Sequence, residues 1–273
     1  KKIFLLEDCA LSLGSKVNKK ILGNFGEASL FSTDHTKPIN TFSGGIIYSN
    51  KKKLIKYLLA RKKKIKNFYI KKKKNILNYI FFRNNFLSTN SLLKKIYLNF
   101  YNKIRIKFFK KNPYLDCDYY SKSSNGDYPY PCKFPTFLAY IGILEIKRWK
   151  KTKVKRKIVL NYFLDKLSSK YSNLKKKLPI YKNKNHDIVP LRLAWHDSRS
   201  HRILVKISNL IDISGIWFKK PIEATNSNLS SFYYRKGSCK NSEKIGSKMI
   251  NLPCNIDLID AKKIVLKLIN KNE

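Results

Sequence analysis

The stretch FSTDHTKPINTFSGG, at residues 31–45, decides the fold of this chain. It follows one short apolar run at residues 28–31 and leads into another at residues 44–48. A third apolar run, residues 3–6, stops at the acidic segment EDCA, residues 7–10. Short apolar runs bounded by turn residues, in a chain that also carries helical patterns, predict buried strands of an α/β sheet.

Three polar side chains lie at or just after the ends of these runs: Asp8, Ser32 and Lys37. Functional groups of α/β sheets gather at the carboxyl ends of the strands. An acid, a hydroxyl and an amine are therefore expected at one edge of the sheet. A lysine amine can hold an aldehyde as a Schiff base. A plain surface lysine would also explain Lys37 in so lysine-rich a chain, but it would not explain the ordered set around it.

The order and spacing of these motifs resemble the DegT/StrS family of sugar aminotransferases. EDCALSLGS, at residues 7–15, is similar to the family's E-D-x-A-x-x-x-G segment. GNFGEASLFSTDHTKPINTFSGGIIYSN, at residues 23–50, is similar to its G-x-x-G-D segment, its F-S-[FT]-x-x-x-K segment and the glycine pair that follows. The resemblance runs through several motifs in order, which makes it stronger than any one of them.

This resemblance implies the fold. It predicts an α/β chain of the pyridoxal-phosphate-dependent transferase fold type I, with a three-layer α/β/α large domain that is incomplete at its N-terminus and a small C-terminal α/β domain. The C-terminal part of the large domain is expected at residues 1–135, connecting helices at 136–178 and the small domain at 179–273. Only the C-terminal part of a family protein is then covered.

The resemblance also implies an activity and roles. Lys37 is the expected catalytic residue and the Schiff-base lysine for pyridoxal phosphate, Asp8 the partner of the ring nitrogen and Ser32 a phosphate contact. The reaction is transfer of an amino group, with glutamate as donor, to a nucleotide-linked keto-sugar for surface polysaccharide or lipopolysaccharide synthesis, in a homodimer. Related dehydratases carry His in place of the lysine, so Lys37 favours transamination.

Some positions depart from the family pattern. Leu11 stands where Gln or His is usual beside the cofactor ring, and it cannot donate a hydrogen bond. Pro131 and Lys133 stand near the positions of an Asn and an Arg that reach the neighbouring subunit's cofactor phosphate. These departures keep a second hypothesis open: a truncated or degenerate homologue without independent catalysis, acting as a subunit or as half of a split enzyme.

Charge and composition bear on partners and location. The net charge of +42 suggests a polyanion-binding protein, but only nine of the basic residues are arginines, the residues expected at base edges and phosphates. AT-rich codons favour Lys, Asn and Ile, so the codon bias of a genome explains the excess of lysine and the positive charge. We therefore expect no specific nucleic-acid partner. No apolar run is long enough to span a membrane and no signal-peptide pattern is present, which predicts a cytoplasmic protein without a membrane partner. Five cysteines without a C-x-x-C pair and four scattered histidines predict no metal site.

Periodicity predicts helices beyond the motif region. A helix followed by a solvated basic loop is expected across residues 51–74, and two successive helices at 137–150 and 152–171. Arg156 on the second of these resembles a family arginine that packs the two domains together. Further along, strands are expected at 188–195 and 215–219 and helices at 199–210 and 257–270.

Overall fold

The structure is a computed structural model, and it describes residues 3–68, 70–82, 100, 131–211, 217–222, 229 and 233–270. Its strands are β1 Leu6–Asp8, β2 Lys16–Val17, β3 Lys20–Ile21, β4 Ala28–Ser32, β5 Gly45–Tyr48, β6 His186–Asp187, β7 Arg192–His196 and β8 Met249–Pro253. Its helices are α1 Lys52–Lys64, α2 Ile70–Phe82, α3 Thr136–Leu167, α4 Ser172–Lys175, α5 Leu178–Lys182, α6 Ser200–Ile207, α7 Lys240–Gly246 and α8 Leu258–Ile269.

The chain divides into two compact units. The first comprises Lys1–Leu59, Thr136–Glu223 and Arg235–Glu273, and the second comprises Ala60–Pro135 and Ala224–Tyr234. All three predicted site residues lie in the first unit. The predicted domain division at residues 135 and 178 stays a prediction.

The second unit contains α2, which corrects one expectation. The lysine run at residues 71–74 was expected in a solvated connection, but it lies inside the helix Ile70–Phe82. Lysine is a good helix former, and the segment contains no glycine or proline to interrupt it. In the same unit, the backbone N–H of Lys133 donates to the carbonyl of Lys66 at 2.8 Å.

One sheet of the first unit has the order β1-β4-β5 among the described residues. β1 runs parallel to β4, with Asp8 opposite Leu30, and β5 runs antiparallel to β4, with Gly45 opposite Ser32. β4 begins with two buried residues, whereas every residue of β5 is exposed and β1 is exposed except for a half-buried Glu7. The prediction of buried strands is therefore right for the first part of β4 and wrong for β1 and β5, which each pair on one side only within the described ranges.

A second sheet joins two segments that are far apart in the sequence. β2 and β3 form a hairpin whose two turn residues, Asn18 and Lys19, have φ values of 49° and 66°. Positive φ at both turn positions is the signature of a type I′ turn, whose twist matches that of a hairpin. β2 also pairs with β6, placing Val17 opposite His186. Beside this pairing, the backbone N–H of Val189 donates to Ser15 Oγ at 3.0 Å.

The main apolar core lies around the third sheet, formed by β7 and β8. Side chains alternate along these antiparallel strands, so that Leu193, Trp195, Ile250 and Leu252 are fully buried on one face. Helices α3, α6 and α8 supply most of the remaining core side chains, which are Val159, Leu160, Phe163, Leu164, Leu167, Ile203, Ile207, Ala261, Ile264, Val265 and Leu268.

Helix α3 corrects a second expectation. Two helices broken near residue 151 were expected, but Thr136–Leu167 is one helix of 32 residues. The segment around residue 151 contains neither proline nor glycine, so nothing in the sequence stops the helix there. The other expected elements are found with shifted ends, as β7, α6 and α8. Of the strand expected at 215–219, residues 217–219 are not in a strand and the rest lie outside the described residues.

Candidate functional site

Two of the predicted site residues end neighbouring parallel strands. Asp8 is the last residue of β1 and Ser32 the last residue of β4, and their shared direction puts both at the same edge of the sheet. Asp8 Oδ1 accepts the backbone N–H of Ala10 at 3.0 Å, and Ser32 Oγ accepts that of Asp34 at 3.4 Å. Each polar side chain is thus held by the turn that follows its strand.

The loop after β4, residues 33–44, carries Lys37 and is closed at its base by hydrogen bonds. Thr33 N–H donates to the carbonyl of Gly44 at 3.0 Å, and Thr41 N–H donates to the carbonyl of Thr33 at 2.8 Å. The buried Thr41 hydroxyl lies 2.7 Å from Thr33 Oγ1 and 2.8 Å from the carbonyl oxygen of Ser43. Buried polar networks of this kind hold one backbone conformation when their members are satisfied. The loop therefore presents Lys37 from a fixed frame.

The amine of Lys37 is half-buried and shifted toward its neutral form. Burial lowers the pKa of Lys37 below its usual value, while the carboxylates of Asp34 and Asp8 oppose this effect. The nearby charge of Arg192 lowers the pKa further. A neutral amine is the form that attacks a carbonyl, so this environment favours Lys37 as a nucleophile. The charge of Asp8, another predicted site residue, thus acts on the Lys37 amine.

Asp34 and His35 form a hydrogen-bonded pair beside Lys37. His35 Nδ1 and its backbone N–H both lie 2.6 Å from Asp34 Oδ1. Burial would raise the pKa of Asp34, but the hydrogen bonds and charge of His35 outweigh it and lower that pKa. His35 therefore serves the described site as the partner of Asp34, and Asp34 stays an anion next to the Lys37 amine.

Glu7 shows why the first two motifs occur together. Its carboxylate accepts the backbone N–H groups of Gly23 at 2.7 Å, Phe25 at 2.5 Å and Gly26 at 2.7 Å. Burial would raise the pKa of Glu7, but these three donors outweigh it and lower that pKa. A Cβ on Gly26 would lie 2.4 Å from the carbonyl oxygen of Leu5, so only glycine fits there. Hydrogen bonds thus tie the acidic segment to the glycine segment. They fix the position of the strand that ends at Asp8.

The structure adds two residues that the sequence analysis missed. The Nζ atom of Lys37 lies 4.3 Å from the ring centroid of Trp217, and Cζ of Arg192 lies 5.0 Å from the same centroid. Lysine and guanidinium groups at such distances are attracted to the indole face. No local pattern could have revealed this group, because its members are distant in sequence and meet only through the fold. Leu11 lines a cavity of about 370 Å³ that also includes Arg192 and Trp217.

Other expected contacts fall elsewhere. Arg156 is buried and donates from Nη1 to the carbonyl oxygens of Pro190 at 3.2 Å and Leu191 at 3.3 Å, which ties α3 to the start of β7. Pro131 and Lys133 lie in the second unit, and their expected reach toward a neighbouring subunit stays a prediction.

The described residues contain neither a cluster of metal ligands nor a helix that could span a membrane. In the part of the chain that the structure describes, no three His, Cys, Asp or Glu side chains are grouped as metal ligands. Nor does any described helix combine the length and apolar character that crossing a bilayer demands.

Comparison with solved structures identifies the fold. The structure of a DegT DnrJ EryC1 StrS aminotransferase from Brucella abortus superposes on 97% of this chain and 56% of its own, with a TM-score of 0.56 and 12% sequence identity. The fold is therefore that of the pyridoxal-phosphate-dependent aminotransferases of fold type I, as the motif order predicted. Residues 1–91 match the DegT/DnrJ/EryC1/StrS aminotransferase family, which confirms the resemblance in the part of the chain that contains Asp8, Ser32 and Lys37.

Curated relatives match over short stretches of this chain. GDP-perosamine synthase of Escherichia coli O157:H7 is 43% identical over 54 residues, which are 20% of this chain and 15% of that protein. UDP-4-amino-4,6-dideoxy-N-acetyl-beta-L-altrosamine transaminase of Campylobacter jejuni is 43% identical over 51 residues, 19% of this chain and 14% of that protein. The chain thus spans little more than half of the solved chain above, and its alignments span about a seventh of these relatives.

Proposed function

We propose that this protein is a pyridoxal-phosphate-dependent aminotransferase that transfers an amino group to a nucleotide-linked keto-sugar. One observation carries the proposal: Lys37, with an amine of lowered pKa, sits on a closed loop beside the sheet edge where Asp8 and Ser32 end parallel strands. The names of the relatives support the substrate class, since both act in the synthesis of amino-sugar nucleotides by name.

The chain's own donor and acceptor set fits this cofactor. An aldehyde needs a neutral amine, a pyridine nitrogen needs an acid, and a phosphate needs hydroxyl and backbone donors. Lys37, Asp8 and Ser32 supply the three side chains, and the glycine pair at Gly44 and Gly45 leaves the backbone of β5 uncovered by side chains at its start. When bound, pyridoxal phosphate supplies an electron-withdrawing ring that stabilises negative charge on a substrate carbon.

Each residue then has a distinct task. Lys37 would bind the aldehyde carbon and, once the amino donor has displaced its amine, would act as the general base that moves the proton from the donor's α-carbon to the cofactor carbon. Asp8 holds a proton at the ring nitrogen through its carboxylate. Ser32 orients the phosphate through its hydroxyl. His35 keeps Asp34 in its anionic form, and the charge of Asp34 partly offsets the lowering of the Lys37 pKa by burial.

The remaining features of the proposal concern partners and context. Glutamate is the proposed amino donor, the amino-sugar product enters surface polysaccharide synthesis, and the proposed assembly is a cytoplasmic homodimer. A degenerate homologue without independent catalysis is the second candidate. Leu11 favours it, because this apolar side chain lines the cavity beside Trp217 where the family pattern has a hydrogen-bonding residue.

Cofactor attachment tests the proposal. The purified chain is incubated with pyridoxal phosphate, reduced with borohydride and mapped by peptide mass spectrometry. We expect one dominant pyridoxyl label on Lys37, lost in Lys37→Ala and kept in Lys56→Ala, since Lys56 is an exposed lysine of α1. Labels spread evenly over surface lysines, with no loss in Lys37→Ala, would refute attachment at Lys37 and leave the degenerate homologue as the better account.

Asp8→Asn separates the tasks of the two residues. The amide removes the negative charge that holds the ring proton but leaves the Lys37 amine in place. We therefore expect the pyridoxyl label to persist while transamination of a nucleotide keto-sugar falls by at least about tenfold. An Asp8→Asn variant with undiminished turnover would remove Asp8 from the proposed site.

A further inference from the structure

The Lys37 amine has one direct partner in the described part of the chain, the indole ring of Trp217. Its Nζ atom lies 4.3 Å from the ring centroid and makes no hydrogen bond or ion pair with a described residue. The carboxylates of Asp34 and Asp8 act on this amine through their charge alone. Because burial of an ammonium group without a hydrogen-bond partner is costly, the ring is its main local source of stabilisation.

A second cation, Arg192, lies against the same ring. Its Cζ atom lies 5.0 Å from the centroid of Trp217. The charge of Arg192 repels that of Lys37 and lowers the pKa of the lysine. The face of an indole carries a negative electrostatic potential, which attracts both cations. Trp217 therefore stabilises two like charges that repel each other at this position.

The surrounding backbone holds Trp217 in place. Its N–H donates to Oδ1 of the buried Asn251 on β8 at 3.0 Å. Phe218 has a φ of 67°, which is uncommon for a bulky residue, and its ring meets that of Trp217 edge to face with centroids 6.1 Å apart. A Cβ on Gly246 would lie 2.4 Å from the carbonyl oxygen of Lys219, so this segment packs closely on the end of α7. Strained backbone that its surroundings support in this way is found at functional sites.

We propose that Trp217 is a positioning residue for Lys37, whose indole face holds the charged amine in the cofactor-free chain and releases it once the amine is neutral. The release is electrostatic, because the ring face attracts a cation but repels the lone pair of a neutral amine. The released amine is the form that attacks a carbonyl. The contact with the ring does not rest on the proposed function, whereas its role in the capture of an aldehyde does.

The first test compares two substitutions of Trp217 in the cofactor-free chain. Trp217→Phe keeps an aromatic face, whereas Trp217→Leu is of similar size but has none, so the space that both open beside the amine is alike. Limited acetylation across pH, followed by peptide mass spectrometry, gives the titration midpoint of Lys37. We expect this midpoint to be lower in Trp217→Leu than in Trp217→Phe by about half a pH unit or more, since only Phe still favours the charged amine.

Trp149 provides the matched control. It is a half-buried tryptophan of α3 whose ring packs against Gly14. Trp149→Phe and Trp149→Leu should give the same midpoint for Lys37. Equal midpoints in the two Trp217 variants, or the same difference in the two Trp149 variants, would overturn the proposal. Far-ultraviolet circular dichroism checks the fold of all four.

The second test observes the ring itself and needs no substitution at Trp217 beyond its assignment. The three tryptophans are replaced by 5-fluorotryptophan, and the fluorine resonance of Trp217 is identified by its absence in Trp217→Phe. We expect this resonance to shift with pH at the midpoint found for Lys37, and to lose that shift in Lys37→Met. A resonance that does not titrate, or that titrates equally in Lys37→Met, would show that the ring does not hold the amine.

Borohydride labelling of Lys37 by pyridoxal phosphate, measured on the same samples, separates this inference from the proposed function. A fluorine titration coupled to Lys37 in a chain that takes no label would support the role of Trp217 in holding the amine and refute the proposed function. A normal label on Lys37 without that coupling would support the proposed function and refute the role of Trp217.

Discussion

Two regions of the first unit are built in different ways. The lysine region, defined as β1, β4, β5 and the loop at residues 33–44, has a buried interior that is largely small or polar, as in Ser29, Thr33 and Thr41. Its strand β5 leaves Ile47 60% exposed. The core region, defined as α3, β7, β8, α6 and α8, buries large side chains such as Phe163 and Trp195 completely. Burial of apolar side chains therefore stabilises the core region, whereas hydrogen bonds maintain the conformation of the lysine region.

This difference separates stability from chemistry. The family match covers residues 1–91, which include the whole lysine region, and Asp8, Ser32 and Lys37 all lie there. Regions with few buried apolar contacts open at lower free energy than a packed core. Substitutions in the core region should unfold the protein, and substitutions in the lysine region should alter the site while the fold persists.

The largest effect is expected from a cavity in the core region. Phe163 is fully buried among the residues of α3, β7 and α8. Phe163→Ala should lower the free energy of unfolding by about 3–5 kcal/mol, since it removes apolar contacts and leaves a void. Urea denaturation measures the change. The matched control in the lysine region, Ile47→Ala, should cost no more than about 0.5 kcal/mol at this exposed position. Equal losses of unfolding free energy in the two variants would contradict the proposed difference between the core region and the lysine region.

A smaller effect is expected from the hydroxyl network of the lysine region. Thr41→Val keeps the shape of the side chain but removes the hydroxyl that bridges Thr33 and Ser43. We expect a loss of about 1–3 kcal/mol, because buried partners lose their hydrogen bond. Hydrogen exchange of the loop amides should rise with it.

Thr152→Val is the control for that variant. The Thr152 hydroxyl bonds only to the carbonyl of Arg148 within the described helix, at 3.2 Å and in an exposed setting. Its loss should cost about 0.5 kcal/mol or less. If Thr152→Val proved as costly as Thr41→Val, the loop would not depend on its buried hydroxyls.

Thiol labelling compares the two regions directly. Cys9 follows β1 and Cys254 follows β8, and both are buried. Burial raises the pKa of both thiols, to about 12 for Cys254. Each must therefore be exposed by an opening before it reacts. We expect N-ethylmaleimide to label Cys9 at least about tenfold faster than Cys254, since the lysine region opens at lower free energy.

Peptide mass spectrometry resolves the two sites, and the exposed Cys239 reports reagent activity. Identical labelling rates for Cys9 and Cys254 across denaturant concentrations would show a single cooperative unit and contradict the comparison.

The smallest effect concerns the charge on Lys37. The Asp34 carboxylate raises the pKa of this lysine against the lowering by burial, so Asp34→Asn should lower the pKa further. Because the folded-state pKa lies below the usual 10.5, the folded state gives up its proton first. The neutral amine therefore contributes to the free energy of unfolding at pH values above the unfolded-state pKa. This contribution is lost as the pH falls through the folded-state pKa. Limited acetylation across pH, followed by peptide mass spectrometry, gives the midpoint. Asp260→Asn on α8 is the control, and a midpoint that rises in Asp34→Asn would contradict the electrostatic account.

Local sequence patterns were sufficient for some of these features and insufficient for others. Asp8 and Ser32 could be placed at strand ends because an apolar run that stops at a polar turn has few other structures. The exposure of β1 and β5 could not be predicted, since an apolar run does not say which other elements pack on it. The lysines at residues 71–74 show the converse error, where charge suggested a loop and helix propensity prevailed.

The cavity shows where sequence reasoning ended for a geometric reason. Arg192 and Asn251 lie in separate strands whose common face is known only once β7 pairs with β8. The sequence motifs of the lysine region contain no trace of either residue. Trp217 adds a third partner, whose backbone N–H donates to Asn251 and whose ring lies against the Lys37 amine.

The hairpin β2–β3 has a consequence for the order of folding. The sheet that contains this hairpin has a third strand, β6, which begins at His186. The sheet is therefore complete only when a segment far along the chain has joined the residues that follow Ser15. Pairings between such distant segments give a high contact order. Closing the long loop between them costs conformational entropy before any favourable contact forms. The pairing of β2 with β6 should therefore be among the last contacts to form during refolding, after the helices have formed. Lys37 should gain its contact with the Trp217 ring late for the same reason, because these two residues are also far apart in the sequence.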